Sequence, residues 1–172
     1  MNVANTVNRP ESLAVAQPGK SVMHGDDELT IIDAPQQILR SALAALSAGR
    51  VLEVVEQFDD RFTFNDHALT LEFTDKLRLT EFFEKSRELF PDTTLEIVSL
   101  LESGDQAIAE WKIAATQTMS YGSITYQFPF SLPGSTIVRV EGGKIVQWSD
   151  YYDENRSRRV GLAGLFTEWI EY

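Results

Sequence analysis

The chain has 172 residues, of which 43% are hydrophobic, so it is long enough to form one domain with a substantial core. Its formal net charge of −11 and its pI of about 4.6 argue against nucleic acid and anionic membranes as partners, because both are bound mainly through Lys and Arg. With no cysteine and only two histidines, His24 and His67, the sequence excludes disulfides and thiolate metal sites, and we expect no metal centre.

Residues 1–30 mix Asn, Pro, Gly, Ser and charges without periodicity, which is typical of a flexible arm. The N-terminus has no apolar core like that of a signal peptide, and no apolar run in the chain is long enough to span a bilayer. We therefore expect a soluble cytoplasmic protein with an arm over 1–30, one folded domain over 31–154 and a tail over 155–172.

The first predicted helix follows the arm. Asp33 lies three residues before Gln36, as in a capping box, and Pro35 falls in the first turn. Apolar residues at helical spacing continue to Leu46, so the helix is predicted to end near Gly49.

The next stretch predicts two further helices with a strand between them. A short second helix is indicated by apolar residues at i, i+3, i+4 and i+7, namely Val51, Val54, Val55 and Phe58. The segment from Arg61 to Asn65 alternates like a strand. A third helix is predicted around Thr80, and it ends before Pro91.

From Leu95 onward the pattern is that of β-strands. Small residues flank Trp111 on one face of the strand over 107–118, and they leave space either for a ligand or for a helix lying on the sheet. The following strand, over 124–132, contains Pro129, which cannot donate a ladder hydrogen bond and so favours an edge or a bulge.

A tight turn at Gly142 and Gly143 joins the last two predicted strands, over 135–141 and 144–152. Helices followed by long antiparallel strands predict an α+β fold, with the helices on one face of the sheet and a concave pocket between the layers.

The last strand carries the most informative carboxylate, Asp150. Alternation places it on one face with Val146, Trp148 and Tyr152, so the acid lies among apolar and aromatic groups. Burial there raises the pKa of a carboxyl toward neutrality, as a general acid or base requires. An ion pair with an arginine, or hydrogen bonds from the backbone, would equally explain an aspartate in this position.

The segment Trp148-Ser149-Asp150-Tyr151-Tyr152-Asp153 resembles the final strand of limonene-epoxide-hydrolase-type and SnoaL-like proteins of the nuclear transport factor 2-like superfamily. The resemblance extends from about Pro35 to Asp153. It implies a cone-shaped curved antiparallel sheet with three N-terminal helices packed on it. It also implies a pocket in which Asp150 acts as an acid or a base.

The resemblance draws attention to the end of the strand before the third helix. The stretch Asp-Arg-Phe-Thr-Phe-Asn, over 60–65, resembles the segment in which epoxide hydrolases hold the attacking water with an asparagine, and Asn65 falls at that place. Steroid isomerases of the superfamily carry their catalytic aspartate on this strand, which implies a role for Asn65 or Asp66. A strand-ending turn explains the same pair. The Arg-x-Asp of epoxide hydrolases corresponds to Trp111 and Ile113, so we do not expect that reaction.

His67 follows Asp66, and the two could form an imidazole-carboxylate pair with a pKa near neutrality. A lone histidine in a polar loop is more often simply exposed. Four aromatic residues are candidates for ligand contact, although core packing would explain any one of them: Trp111, Tyr126, Trp148 and Tyr152.

Two functions compete on these grounds. The first is a cofactor-independent enzyme of the cyclase, isomerase or hydrolase type, in which Asp150 moves a proton on a small apolar or aromatic substrate. The second is a non-catalytic module for ligand binding or dimerisation, which the missing Arg-x-Asp pair favours.

We also expect a homodimer formed through the sheet, because superfamily members commonly pair in this way and both faces carry apolar groups. Val138, Val140 and Ile145 would then be buried on the face opposite Asp150. The tail contains apolar residues at helical spacing and is predicted to form an amphipathic helix that covers the domain or its partner, through Leu162, Leu165, Phe166, Trp169 and Ile170.

Overall fold

The computed structural model describes residues 34–121 and 123–153 of the chain. Within them three helices and six strands form an α+β fold, as the sequence predicts. The helices are α1 (Pro35–Ser47), α2 (Val51–Val55) and α3 (Lys76–Leu89). The strands are β1 (Phe58–Asp66), β2 (Leu71–Phe73), β3 (Thr94–Ser103), β4 (Gln106–Tyr121), β5 (Ile124–Glu141) and β6 (Lys144–Tyr152). The predicted arm over 1–30 and the tail over 155–172 lie outside the described residues.

The first helix begins differently from the prediction. Its N-cap is Ala34, which makes no side-chain capping hydrogen bond, and Pro35 occupies the first turn. The backbone N–H of Gln36 instead donates to Glu102 on β3 at 3.2 Å. The prediction of a capping box is therefore wrong in that the Gln36 N–H has a different partner from the one expected. Asp33 itself lies outside the described residues. A carboxylate from the sheet satisfies the helix end in its place.

The second helix is shorter than its apolar spacing suggests. It ends at Val55, and Phe58 is the first residue of β1, where it stays buried. The hairpin partner β2 is not apparent in the sequence, because three residues are too few for alternation to show. Thr70, with φ of 59°, forms part of the turn between the two strands.

The sheet is open and has the strand order β2-β1-β6-β5-β4-β3. Neighbouring strands are antiparallel except β1 and β6, which run parallel. Between these two strands in sequence lie β2, α3 and the strands β3 to β5. That parallel pair lies inside the sheet, next to the edge strand β2, and joins the first strand to the last. None of the helices in the described part of the chain is long and apolar enough to cross a membrane.

The strand β5 is continuous where the sequence suggested two strands. Pro133 and Gly134 fall within it and pair with Lys112 and Trp111 of β4. A Cβ atom at Gly134 would overlap the indole ring of Trp111, so this glycine provides space for the ring and does not form a turn. Pro129 lies in the part of β5 beyond the end of β6, at an edge, as its missing N–H predicts.

The residues proposed for the dimer interface lie in the core of the single chain. Val138 is the cross-strand partner of Trp148 and shares its face, and Val138, Val140 and Ile145 are all buried within the described residues. The prediction that they face away from Asp150 is wrong. A bulge between Arg139 and Val140 lets Val140 pair with Ile145, so simple alternation from Asp150 misplaces Ile145.

Candidate active site

A cavity of about 330 Å³ lies between the helices and the inner face of the sheet. Its volume falls at the lower end of the range for small-molecule sites. Most of its wall is apolar, including Phe82, Phe83, Phe90, Ile113, Phe130 and Leu132.

Two carboxyl groups, from Asp66 and Asp150, line one part of this cavity. Asp66 is the last residue of β1, and in the parallel pairing of β1 with β6 its partner is Asp150. The backbone N–H of His67 donates to the carbonyl oxygen of Asp150 at 3.1 Å and fixes the strand ends at this level. The fold thus brings together two acids that are far apart in sequence.

Asp66 is buried and uses both of its oxygens. Oδ1 accepts from the backbone N–H of Leu69 at 2.8 Å, and Oδ2 accepts from the phenol of Tyr152 at 2.7 Å. The first bond closes the turn after β1, so one carboxylate ends the strand and also serves the cavity. Both bonds favour the ionised form of Asp66.

Asp150 is the end of a short hydrogen-bond chain. The indole N–H of Trp111 donates to Thr136 Oγ1 at 2.8 Å, and the Thr136 hydroxyl donates to Asp150 Oδ1 at 2.5 Å. Thr136 is fully buried and is the cross-strand partner of Asp150. The indole therefore fixes the direction of the hydroxyl proton, which must point at the carboxyl.

Burial and the neighbouring charge of Asp66 raise the pKa of Asp150 to about 7, against weaker lowering by hydrogen bonding from Thr136 and Trp148. The indole Nε1 of Trp148 is buried and makes no hydrogen bond of full geometry, so we attribute its effect to proximity. Burial also raises the pKa of Asp66, opposed by the bonds from Tyr152 and the backbone. Near neutral pH Asp150 is therefore present in both its protonated and its ionised form.

Tyr152 completes the polar part of the wall. Burial, and next the charge of Asp66, raise the pKa of its phenol well above the ordinary value. The phenol therefore stays protonated and remains a donor to Asp66. Its ring contacts that of Trp111, with centroids 6.1 Å apart.

A second polar region lies where α1 and α3 end, and it contains Ser47, Ser86, Arg87 and Thr93. Arg87 crosses Gly49, where an added Cβ would come within 2.7 Å of the guanidinium Nε. Its only ion pair among the described residues is a 3.9 Å contact with Glu84, at the limit of such an interaction. Arg87 lies in the last turn of α3, whereas Asp66 and Asp150 lie on β1 and β6, so the polar groups of the cavity come from two different parts of its wall.

Four of the eight residues singled out from the sequence line the cavity: Asp66, Trp111, Asp150 and Tyr152. The other four do not. Asn65 alternates with Asp66 and lies on the opposite face of the sheet, and exposed His67 stacks on Tyr151 with ring centroids 4.4 Å apart. Trp148 is 1% exposed and packs on Phe58 and Phe64 in the core, and Tyr126 lies further out on β5, 47% exposed.

Sequence reasoning missed Thr136 and Arg87. Thr136 would have been found if β5 had been taken as one strand, because alternation from Phe130 and Leu132 then places it on the inner face. Arg87 gives no such signal, since a basic residue in the last turn of a helix is common for electrostatic reasons alone. In the described part of the chain no cluster of His, Asp and Glu has the arrangement of a metal site.

The fold recurs in solved structures of low sequence identity. A protein of ketosteroid isomerase-like fold from Catenulispora acidiphila, in complex with trimethylamine, has a TM-score of 0.62 and 20% identity over 80% of this chain and 99% of its own. A proposed SnoaL-like polyketide cyclase from Shewanella denitrificans has a TM-score of 0.64 and 13% identity, and the match covers 73% of this chain and 94% of that protein. IdmH, a proposed polyketide cyclase from Streptomyces antibioticus, has a TM-score of 0.63 and 15% identity, and the match covers 73% of this chain and 96% of IdmH.

Comparison with curated proteins found no match. The model of the SnoaL-like domain matches residues 39–148, which include Asp66, Trp111 and Thr136 and end just before Asp150. That stretch is more than half of the chain and contains most of the described helices and strands. The chain therefore belongs to the SnoaL-like domain family, and it has the nuclear transport factor 2-like fold.

Proposed function

We propose that this protein is a small-molecule enzyme in which Asp150 transfers a proton to and from a largely apolar substrate. The observation that carries the proposal is the placement of two adjacent carboxyls, Asp66 and Asp150, in the wall of an open apolar cavity. A pKa of about 7 for Asp150 leaves both its protonated and its ionised form available near neutral pH. This is the requirement for a group that must act as base and then as acid.

The neighbouring residues have separate parts in this proposal. Ionised Asp66 keeps a negative charge beside Asp150 and so raises its basicity, while Tyr152 and the backbone hold Asp66 in place. Thr136, oriented by Trp111, fixes the direction of the Asp150 carboxyl. These four are positioning residues, namely Asp66, Tyr152, Thr136 and Trp111, and Asp150 is the group that meets the substrate.

The cavity limits the substrate class. Its volume and its aromatic wall fit a compact ligand of one or two rings with an acidic C–H next to a carbonyl group. Asp150 would take the proton from that carbon, leaving an enolate, and would return it to another carbon or to the oxygen. Such a transfer serves both an isomerase and a cyclase that closes a ring through a carbanion, and some structural relatives are described as proposed polyketide cyclases.

Arg87 would fix the orientation of the substrate in the cavity. Because it lies at the second polar region, a ligand with an acidic C–H at one end and a carboxylate at the other would match both. The remaining wall offers few other charges to an anionic ligand in a chain whose net charge is −11.

The proposal is tested by deuterium exchange. Acetophenone, β-tetralone and benzoylacetone are incubated with the protein in D₂O, and loss of the α-proton signal is followed by NMR. We expect the protein to accelerate exchange of at least one probe by about 100-fold over buffer, as general base catalysis does. Asp150→Asn should lose most of this acceleration. The exposed turn residue Asp105 provides a matched control, and Asp105→Asn should retain it.

Binding is measured in parallel through the change in tryptophan fluorescence, to which Trp111 contributes from the cavity wall. Probes that bind without any exchange above buffer would contradict the enzyme proposal. That result would favour the non-catalytic module, the second function that the sequence allows. The open cavity supports the enzyme, since a module that only dimerises has no need of a buried carboxyl pair beside empty space.

We also propose a cytoplasmic homodimer, with an interface formed by other residues than those expected from the sequence. A row on the outer face of the sheet joins Leu101, Ile108 and Ile137 across β3, β4 and β5, and the first two are 68% and 44% exposed. A contiguous apolar row of this kind is suited to a second copy of the sheet. Light scattering at micromolar concentration measures this directly, and a monomer mass would remove the proposal.

A further inference from the structure

The ends of β4 and β5 continue beyond both neighbouring strands. β3 begins to pair with β4 at Ala114, and β6 reaches β5 no further than Gly134. Past these points residues 115–121 pair with 124–130 as a two-stranded ribbon. Within the described residues, the outer edge of β5 over 126–133 has no neighbouring strand.

The inner face of this ribbon is apolar and exposed. Ile124, Tyr126 and Phe128 are 54%, 47% and 50% exposed, and the last two stack with ring centroids 6.2 Å apart. Alternation along β5 puts them on the same face as Phe130, which lines the cavity and packs on Phe90 with centroids 5.5 Å apart. The apolar face of the sheet thus continues past the point where the helices cover it.

The chain leaves the described domain beside this face. Tyr152 is the partner of Gly134, and β6 runs antiparallel to β5, so the direction of β6 leads along 133–124. Residues 154–172 follow, and their sequence contains the stripe Leu162, Leu165, Phe166, Trp169 and Ile170. An uncovered apolar surface and a segment with an unmatched apolar stripe therefore adjoin one another.

We infer that residues 154–172 fold back along β5 and pack this stripe on Ile124, Tyr126 and Phe128. The lengths agree. A helical stripe from residue 162 to 170 is about 12 Å long, close to the roughly 14 Å between residues 124 and 128 of a strand. The residues from 153 to 162 reach at most about 30 Å, against about 20 Å from Gly134 to Phe128.

The tail is favoured over a second copy of the chain because it is tethered at the site. The short covalent link from residue 153 to residue 162 gives an effective concentration in the millimolar range, far above that of another molecule in dilute solution.

The absence of native cysteine makes a disulfide test clean. The double variant Phe128→Cys with Leu165→Cys is oxidised at micromolar concentration, and its products are separated by mass under non-reducing conditions. We expect an intramolecular disulfide in most molecules. Gln127 points to the opposite face from Phe128, so Gln127→Cys with Leu165→Cys is the matched control and should form at least ten-fold less.

Either of two products would overturn the inference. A disulfide mainly between two chains means that a second copy covers the face, and no preference for position 128 over 127 means that the tail does not lie there. A second measurement avoids dependence on disulfide geometry. In the single variant Phe128→Cys, Leu165→Glu should accelerate thiol labelling by about ten-fold, whereas Thr167→Glu, off the stripe, should not. Equal rates in both would also overturn it.

Discussion

Replacement of Asp150 by Asn should make the protein more stable relative to the wild type as the pH rises. The folded state raises the pKa of Asp150 from 3.8 to about 7. Between these values the folded chain binds more protons at this site than the unfolded chain does, so the free energy of unfolding falls with rising pH. The bound proton stabilises the fold fully below the unfolded pKa of 3.8, and this stabilisation is lost as the pH rises through the folded pKa of about 7.

The magnitude follows from the same shift. Three pKa units correspond to roughly 4 kcal/mol of preference for the protonated form, and roughly 2 to 3 kcal/mol of this is lost between pH 5 and pH 8. Asn is nearly isosteric and does not titrate, and its oxygen can still accept from Thr136. The stability of Asp150→Asn relative to the wild type should therefore increase by roughly 2 to 3 kcal/mol over that range.

The assay is urea unfolding at several pH values, followed by the fluorescence of the buried Trp111 and Trp148. Asp105→Asn, at an exposed turn away from the cavity, is the control and should differ from the wild type by a constant amount. If the difference between Asp150→Asn and the wild type is also constant from pH 5 to pH 8, the carboxyl does not carry a raised pKa and the reasoning fails.

Two further predictions concern the wall of the cavity. Gly134→Ala should destabilise the protein by about 1 to 3 kcal/mol, because the added Cβ overlaps the ring of Trp111, and urea unfolding should show a smaller cost in a Trp111→Phe background. Arg87→Gln should weaken binding of carboxylate-bearing aryl ketones by about ten-fold in fluorescence titrations and leave their neutral analogues unchanged. Lys85→Gln, which does not line the cavity, should leave both unchanged.

Much of the fold can be predicted from the sequence, because its elements are long and strongly patterned. The apolar stripe of α1 and the alternation on either side of Trp111 and Phe128 are each clear over many residues. The errors fall where a local signal has two causes. Gly134 follows Pro133 and indicates a turn, yet it is a glycine because an indole ring from the next strand occupies the space of its side chain.

The site is harder to predict, because it depends on which strands become neighbours. Nothing in the local pattern of β1 shows that it pairs in parallel with β6, and only this pairing places Asp66 beside Asp150. For the same reason sequence alone left open whether Asn65 or Asp66 faces the cavity. A shift of one residue reverses the faces of a strand, and the register is set by contacts with β6 and β2.

The two aspartates differ in what surrounds them, and this difference assigns the proton. Asp66 accepts from Leu69 and Tyr152 and is stabilised as a carboxylate, whereas Asp150 accepts one short bond from Thr136 and faces the charge of its neighbour. Ionising Asp150 therefore costs stability, and the cost is what makes the resulting carboxylate a strong enough base to remove a proton from carbon. The protein therefore loses stability as the pH rises toward 7, and this loss levels off as folded Asp150 ionises and gains its capacity to act as a base.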